Sequence, residues 1–139
     1  MQVIRTCGGD KHSTGNVWSH ELLNISEPCS LRVLLVFFEP KARTHWHKHP
    51  GGQILYVVAG KGCIMKRIDD SNEHDERYNI VPGDIIYTAK NEKHWHGAEP
   101  DSFMVHLAIN LDPPDTTTNW MGEVTDEVYE HEFHSNAQI

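Results

Sequence analysis

Short apolar or alternating runs, each closed by turn-forming residues, recur through this 139-residue chain. Leu31–Phe38 is an apolar run that ends at a Glu-Pro pair. Residues 53–59 form a second run, which Gly60-Lys61-Gly62 separates from residues 63–68. Two runs joined by a short glycine-containing turn are typical of a β-hairpin, so we expect residues 63–68 to pair with residues 53–59.

The same pattern continues toward the C-terminus. Residues 69–77 are polar and are expected to form a surface loop, whereas residues 78–81, 85–88 and 103–110 predict three more strands. A capping hydroxyl followed by two acidic residues predicts a short helix over about residues 126–131. Many short strands with few helical periods indicate an all-β sandwich or barrel with a short C-terminal helix.

Composition excludes several classes of partner. The formal net charge of -8 argues against a nucleic-acid partner, because such binding depends on Lys and Arg that neutralise phosphates. The longest apolar run has six residues, far fewer than the ~20 that cross a bilayer, so we expect no membrane association. Cys7, Cys29 and Cys63 are scattered and odd in number, and the N-terminus lacks an apolar signal segment. We therefore expect a cytoplasmic protein with reduced thiols.

The histidines suggest a metal site. Six of the eleven lie in three clusters, which are His45, His47 and His49, then His94 and His96, then His106. Side chains two residues apart on a strand point to the same face, so imidazoles within a cluster can approach one ion together. The other five histidines have no partner pattern and are expected at the surface: His12, His20, His74, His131 and His134.

The spacing of these clusters resembles the two motifs of the cupin superfamily. The first motif runs His-x-His, three or four residues, Glu, six residues and Gly, and it is matched by His47, His49, Gln53 and Gly60. Gln53 therefore stands in the Glu position. The second motif, Gly-x5-Pro-x-Gly-x2-His, has the spacing found from Gly83 to His94.

This resemblance implies both the fold and the metal ligands. The fold is expected to be a double-stranded β-helix, also called a jelly-roll barrel, with a single domain over residues 1–139. Its metal-binding core is expected at about residues 30–112. One divalent ion is expected to bind to His47, His49, Gln53 and His94.

A narrower likeness extends over most of the chain. Segments that recur in a group of small single-domain bacterial cupins are residues 42–44, 92–98, 106–109 and 120–127. That group includes the manganese-dependent cupin hydroxynitrile lyases, so manganese is the first expected metal, with iron, nickel, zinc or cobalt as alternatives. The resemblance also implies a homodimer, in which the first strands, within residues 2–25, are candidates for exchange or edge pairing between subunits.

The likeness also assigns roles around the metal. His106 matches the proposed acid/base of the lyases, and His96 shares the strand face of His94, so both are candidate catalytic residues. His45 and Asn110 depart from the residues expected there and are predicted to line the substrate cavity. Substrate identity is not implied, because these two positions differ.

Gln53 affects the predicted chemistry, because three imidazoles and an amide leave the full charge on a divalent ion. Such an ion is a stronger Lewis acid and is harder to oxidise than one bound to a carboxylate. We therefore expect a metal-dependent lyase-type enzyme acting on a small oxygenated organic molecule, with hydroxynitrile-lyase-like cleavage as one version. Alternatives are an iron- or nickel-dependent dioxygenase and a non-catalytic cupin that binds or senses a small molecule.

Overall fold

The structure, a computed structural model, describes residues 5–6, 12–67 and 75–134. In chain order, its strands and helix are β1 (Arg5–Thr6), β2 (Ser13–Thr14), β3 (Val17–Ile25), β4 (Leu31–Phe38), β5 (Arg43–Thr44), β6 (His47–Lys48), β7 (Gln53–Gly60), β8 (Gly62–Arg67), β9 (Asp75–Ile80), β10 (Ile85–Thr88), β11 (His94–Ala98), β12 (Met104–Asn110), β13 (Asn119–Trp120) and α1 (Asp126–His134).

The strands form two curled antiparallel sheets. The first sheet has the order β1-β3-β4-β12-β7-β10. The second has the order β13-β6-β11-β5-β2, and β8 pairs with both β11 and β9. The predicted all-β fold with one short C-terminal helix is confirmed, and the two sheets enclose the interior of a jelly-roll barrel.

Strand β12 shows how the pleat places residues inside the barrel. It lies between β4 and β7, and its residues alternate between buried and half-buried along the whole strand. Met104, His106, Ala108 and Asn110 are the buried set. Because successive side chains on a strand point to opposite faces, this strand delivers His106 and Asn110 to the same interior surface.

The predicted hairpin between residues 53–59 and 63–68 is wrong. Strand β7 pairs with β10 and β12 in the first sheet, whereas β8 pairs with β9 and β11 in the second. The connecting glycines allow this crossing. Gly60 has a φ of 76°, and a Cβ on Gly62 would lie 2.3 Å from the carbonyl oxygen of Gly97. A turn with hairpin-like composition thus carries the chain from one sheet to the other.

The predicted loop at residues 69–77 is too long at its C-terminal end. Residues 75–77 belong to β9, which pairs with β8 from Arg67 opposite Asp75 to Gly62 opposite Ile80. An ion pair between Arg67 and Asp75, at 2.9 Å, lies at the start of this pairing. The polar side chains here belong to an exposed strand at the side of the sheet. The rest of the predicted loop, residues 69–74, lies outside the described residues.

The C-terminal helix packs on the second sheet. It begins where predicted, with the Thr125 hydroxyl accepting a bond from the backbone N–H of Val128, and it extends to residue 134. The Tyr129 hydroxyl donates to the carbonyl oxygen of Ala98 at 2.6 Å. The buried Arg43 donates to the carbonyl oxygen of Val124 and lies 4.6 Å from the Tyr129 ring. Among the residues described, no helix has the length and apolar character needed to cross a membrane.

Candidate metal centre and cavity

Strand pairing brings the distant histidine clusters together. His47 lies on β6 directly opposite His94 on β11. Gln53 begins β7 and lies directly opposite Asn110, which ends β12. Opposite residues on antiparallel strands have Cβ atoms about 4.5–5.5 Å apart, so each pair has its side chains in contact. The predicted clustering therefore results from two local pairings, one in each sheet.

Three of the buried histidines form a compact group. One ring nitrogen from each of His47, His94 and His96 lies within 4.8 Å of the other two. The Nδ1 of His47 donates to the carbonyl oxygen of His45 at 2.9 Å, and the Nδ1 of His94 donates to that of Glu92 at 2.8 Å. A carbonyl only accepts, so Nδ1 carries the proton in both rings and Nε2 keeps a lone pair for the interior.

His49 is held from its outer side by a carboxylate. Its Nδ1 lies 3.4 Å from Oδ2 of Asp112 and 3.3 Å from Oγ1 of Thr118. The other carboxylate oxygen of Asp112 accepts a bond from the backbone N–H of Gly51 at 2.9 Å. The buried Nε2 of His49 has no hydrogen-bond partner among the described residues. A carboxylate behind an imidazole with a free inner nitrogen is a common support for a metal ligand.

Gln53 gives a sharper indication of a cation. Its Nε2 donates to Oδ1 of Asn110 at 2.9 Å, so its Oε1 faces the histidines. That oxygen lies 3.2 Å from Nε2 of His94, which is also a lone-pair atom. Two acceptors facing each other repel unless a cation or proton lies between them. Adjacent ligand atoms with bonds of about 2.1 Å lie about 3.0–3.4 Å apart, so this spacing fits a shared metal ion.

His96 and His106 form a buried pair next to this group. The Nε2 of His106 lies 3.1 Å from the Nδ1 of His96, so one proton is shared between the two nitrogens. Within the described part of the chain, the outer nitrogens of the pair, Nε2 of His96 and Nδ1 of His106, have no partner. Phe38 packs against both rings, with centroid distances of 5.7 and 5.2 Å. The pair can therefore relay a proton at a buried position.

Burial keeps all five rings neutral. Desolvation lowers the pKa of His94 from its ordinary value of 6.5 to about 3 and that of His106 to about 4. The pKa values of His47 and His96 lie well below 6.5, first through burial and then through neighbouring imidazoles. Burial also lowers the pKa of His49, although the nearby Asp112 carboxylate opposes the shift. Neutral imidazoles are the form that binds metal ions.

The rings open onto a cavity of about 310 Å³. Its polar lining includes His47, His49, Gln53, His96 and His106. Its lining also has an apolar part, formed by Val17, Leu34, Val36, Phe38 and Ala108, and Phe38 lies directly beside His96 and His106. A polar reacting group and an apolar body can thus be accommodated side by side.

A second cavity, of about 520 Å³, adjoins the first. Both cavities are lined by the same five residues, which we term the collar: His12, Arg32, Asn110, Thr118 and Trp120. Within the collar, the rings of His12 and Trp120 stack with centroids 4.4 Å apart. The Trp120 ring also lies 4.7 Å from that of His47.

The structure places most of the predicted site residues around the first cavity. His47, His49, Gln53, His96, His106 and Asn110 line it, and His94 contacts Gln53. His45 is half-buried and is not part of this lining, although its backbone oxygen orients His47. His96 joins His47 and His94 in the compact group more closely than the predicted ligand His49 does. The assignment of ligands among these residues stays a prediction.

Sequence reasoning missed several residues of the site. His12, expected at the surface, is half-buried in the collar. Asp112 and Thr118 support His49 across separations of 63 and 69 residues, which no local motif indicates. Trp120 lies directly opposite His47 in the strand pairing. Its place within a segment shared with the small bacterial cupins is the one sequence signal that could have pointed to it.

Comparison with known proteins identifies the class. The Cupin domain model matches residues 34–110, more than half of the chain, and the chain therefore belongs to the cupin family. It is 41% identical over 116 residues to the (R)-mandelonitrile lyase of Granulicella tundricola, which is 84% of each protein. It is 28% identical over 90 residues to the acireductone dioxygenase of Bacillus velezensis, covering 65% of this chain and 44% of that protein.

A solved structure supports the same placement. A cupin-like protein from Thermotoga maritima superposes with a TM-score of 0.81 and is 38% identical. The match covers 91% of this chain and 91% of that one. The likeness thus extends beyond the barrel core to nearly the whole of the chain.

The stability of the metal-free protein is expected to fall with acidification below pH 6.5. In the unfolded chain these histidines take up protons near their ordinary pKa, whereas in the folded protein His94 and His106 stay neutral down to about 3 and 4. The unfolded state then binds more protons, so each of the two residues lowers the free energy of unfolding by about 2 kcal/mol at pH 5 relative to pH 7.5. Urea unfolding of chelator-treated protein at both pH values measures this; equal free energies would contradict the buried neutral rings.

Proposed function

We propose that this cupin is a metal-dependent lyase that cleaves a small α-hydroxy compound, in the manner of a hydroxynitrile lyase. The observation that carries the proposal is the His96–His106 pair, buried next to a group of imidazole and amide ligands in one cavity. The likeness to an (R)-mandelonitrile lyase, at 41% identity over most of both chains, supports the same chemistry.

The proposed cofactor is one divalent metal ion, with manganese first and iron, nickel, zinc or cobalt as alternatives. The ligands would be His47, His49, Gln53 and His94, which supply three neutral imidazoles and an amide oxygen. When bound, such an ion polarises a hydroxyl or carbonyl oxygen and makes a hydroxyl proton easier to remove. Because no carboxylate is among these ligands, the site favours that role over oxygen activation.

The remaining chemistry is the movement of one proton. In cleavage of a cyanohydrin, the hydroxyl proton passes to the His96–His106 pair, with His106 as the acid/base. The carbon–carbon bond to the nitrile breaks, its electron pair leaves with cyanide, and an aldehyde remains. The protonated pair then returns the proton to cyanide, which leaves as hydrogen cyanide. Burial lowers the pKa of His106 to about 4, so the ring is neutral and able to accept a proton at neutral pH.

The substrate body is proposed to be apolar. The apolar wall formed by Val17, Leu34, Val36, Phe38 and Ala108 lines the same cavity of about 310 Å³ as the histidines. An aryl or alkyl group against this wall would place the hydroxyl-bearing carbon toward the imidazoles. Mandelonitrile, with one phenyl ring, is therefore a suitable first test substrate.

Replacing His106 by Ala is expected to lower the rate of mandelonitrile cleavage by about 10²- to 10⁴-fold, because the acid/base group is lost. Metal content should not change, since His106 is not among the proposed ligands. The assay follows benzaldehyde release, with elemental analysis of the same samples. His131→Ala, at an exposed helix position, is the matched histidine control. Full activity of the metal-loaded His106→Ala protein would exclude this mechanism.

Single alanine variants are expected to separate the two overlapping ligand sets. His49→Ala should lose most bound metal, because the free inner Nε2 of His49 is a proposed ligand. His96→Ala should retain metal and lose activity, because His96 is assigned to proton transfer. Elemental analysis of both variants, purified without metal-chelating resin, measures the bound metal, and benzaldehyde release measures the activity. If His96→Ala loses the metal and His49→Ala retains it, His96 rather than His49 is the ligand.

A dioxygenase is the second candidate function. The 28% identity to an acireductone dioxygenase supports it, although the match covers less than half of that protein. An oxygen electrode distinguishes the two functions, because the lyase reaction consumes no oxygen. Uptake of oxygen with a diol or flavonoid substrate by the iron- or nickel-loaded protein would favour the dioxygenase. Ligand-dependent stabilisation without turnover would instead indicate a non-catalytic binding or sensor protein.

We also propose that the protein is a homodimer, joined through the outer face of the first sheet. Large apolar side chains remain exposed there, namely Trp18, Phe37, Tyr56, Val58, Ile85 and Tyr87. Ile85 is the most exposed of them, at 70%. Strand β1 pairs with β3 of its own chain, and the other residues of the predicted exchange segment before residue 12 lie outside the described part.

The substitution Ile85→Glu is expected to shift the protein toward the monomer, because it places a charge within this apolar face. Light scattering on purified protein measures the mass. Val128→Glu, on the helix that packs against the other sheet, is the control, since Val128 is also exposed. A wild-type mass equal to that of one chain, 15.9 kDa, would exclude the dimer.

A further inference from the structure

The side chain of Gln53 has two chemically different ends, and the metal site needs only one of them. Its amide oxygen can bind a cation, whereas its NH₂ group can only donate hydrogen bonds. A glutamate in the same place has two equivalent oxygens and needs no such choice. Because Gln53 stands where the family usually has Glu, a neighbouring group must hold its amide in the correct orientation.

Without a metal ion, the lone pair of His94 favours an orientation in which the NH₂ group of Gln53, and not its oxygen, faces the site. The Nε2 of His94 is a lone-pair atom, because its Nδ1 donates to the carbonyl oxygen of Glu92. With the amide rotated by half a turn, the NH₂ group of Gln53 would face this nitrogen across about the same gap, 3.2 Å. His94 would then use its free lone pair in a hydrogen bond, and the oxygen of Gln53 would point away from the metal site.

Asn110, in the orientation that the structure shows, opposes this rotation. Its Oδ1 accepts the bond from Nε2 of Gln53 at 2.9 Å, and both side chains are buried. Rotation of the Gln53 amide would bring its oxygen against Oδ1 of Asn110, which is also an acceptor. The register of β7 and β12 places the two residues directly opposite each other, so the contact is fixed by the sheet.

We propose that Asn110 is the positioning residue that holds the Gln53 oxygen toward the metal and so makes an all-neutral ligand set able to bind a divalent ion. This inference rests on the proposed metal site and adds the residue that pre-organises it. Partners that orient metal ligands commonly change affinity by about 10- to 100-fold. Asn110 thus acts through Gln53 and requires no contact with substrate.

The test compares Mn²⁺ affinity in four proteins treated with chelator and titrated calorimetrically: wild type, N110L, Q53E and Q53E/N110L. Leu has the shape of Asn without its polar atoms, so N110L is expected to raise the Kd for Mn²⁺ by about 10- to 100-fold. In the Q53E background the same change should alter Kd by less than about threefold, because a carboxylate offers oxygen in either orientation. N110D, whose carboxylate only accepts, should bind Mn²⁺ at least as tightly as wild type.

The control is T88V, which removes the bond from the Thr88 hydroxyl to the backbone oxygen of Gln53 and leaves the amide contact in place. It is expected to lower the melting temperature without changing Kd. Equal Kd values for wild type and N110L would overturn the role of Asn110 and leave the metal site standing. Equal weakening by N110L in the wild-type and Q53E backgrounds would also overturn it, because the effect would then be structural. A wild-type protein that binds no Mn²⁺ would overturn the metal site itself.

Discussion

Desolvation of the imidazole rings is the constraint on which the rest of this site depends. Five histidines lie where water is largely excluded, and an uncompensated charge there would cost several kcal/mol. Each ring therefore stays neutral, with a proton on one nitrogen and a lone pair on the other. Backbone carbonyls fix this choice for His47 and His94, and Asp112 supports it for His49. The position of each proton decides whether a ring binds a cation or transfers a proton.

The negative charge of the site lies outside the ligands. Asp112 is held by the backbone N–H of Gly51 and faces the outer nitrogen of His49. A Cβ on Gly51 would lie 2.1 Å from the carbonyl oxygen of Leu111, so glycine is needed for this close approach of the two segments. The carboxylate can thus support one imidazole without neutralising a metal ion directly. A glutamate in place of Gln53 would bring the charge into contact with the ion instead.

The sequence predicts those parts of the fold that depend on local alternation. The period of two along β12 predicts that His106 and Asn110 point to the same, inner face. The sequence does not predict which strands pair, because Gly60-Lys61-Gly62 suits a hairpin and a crossing between sheets equally well. The spacing of histidines indicates a metal site, but whether His49 or His96 completes it depends on side-chain rotamers. Asp112, far from His49 in sequence, has no local signal at all.

The collar borders both cavities and also contacts the proposed ligands. The proposed ligands and the histidine pair lie on β6, β7, β11 and β12, in the interior of the barrel, or in the turn after β6. Thr118 and Trp120 lie at or next to β13, a two-residue strand at the end of the second sheet. The stacked rings of His12 and Trp120 belong to the lining of both cavities, and the Trp120 ring also lies 4.7 Å from that of His47. A short peripheral strand therefore shapes both cavities and supports a proposed ligand, so a smaller side chain at Trp120 would change the substrate space and the packing of His47 together.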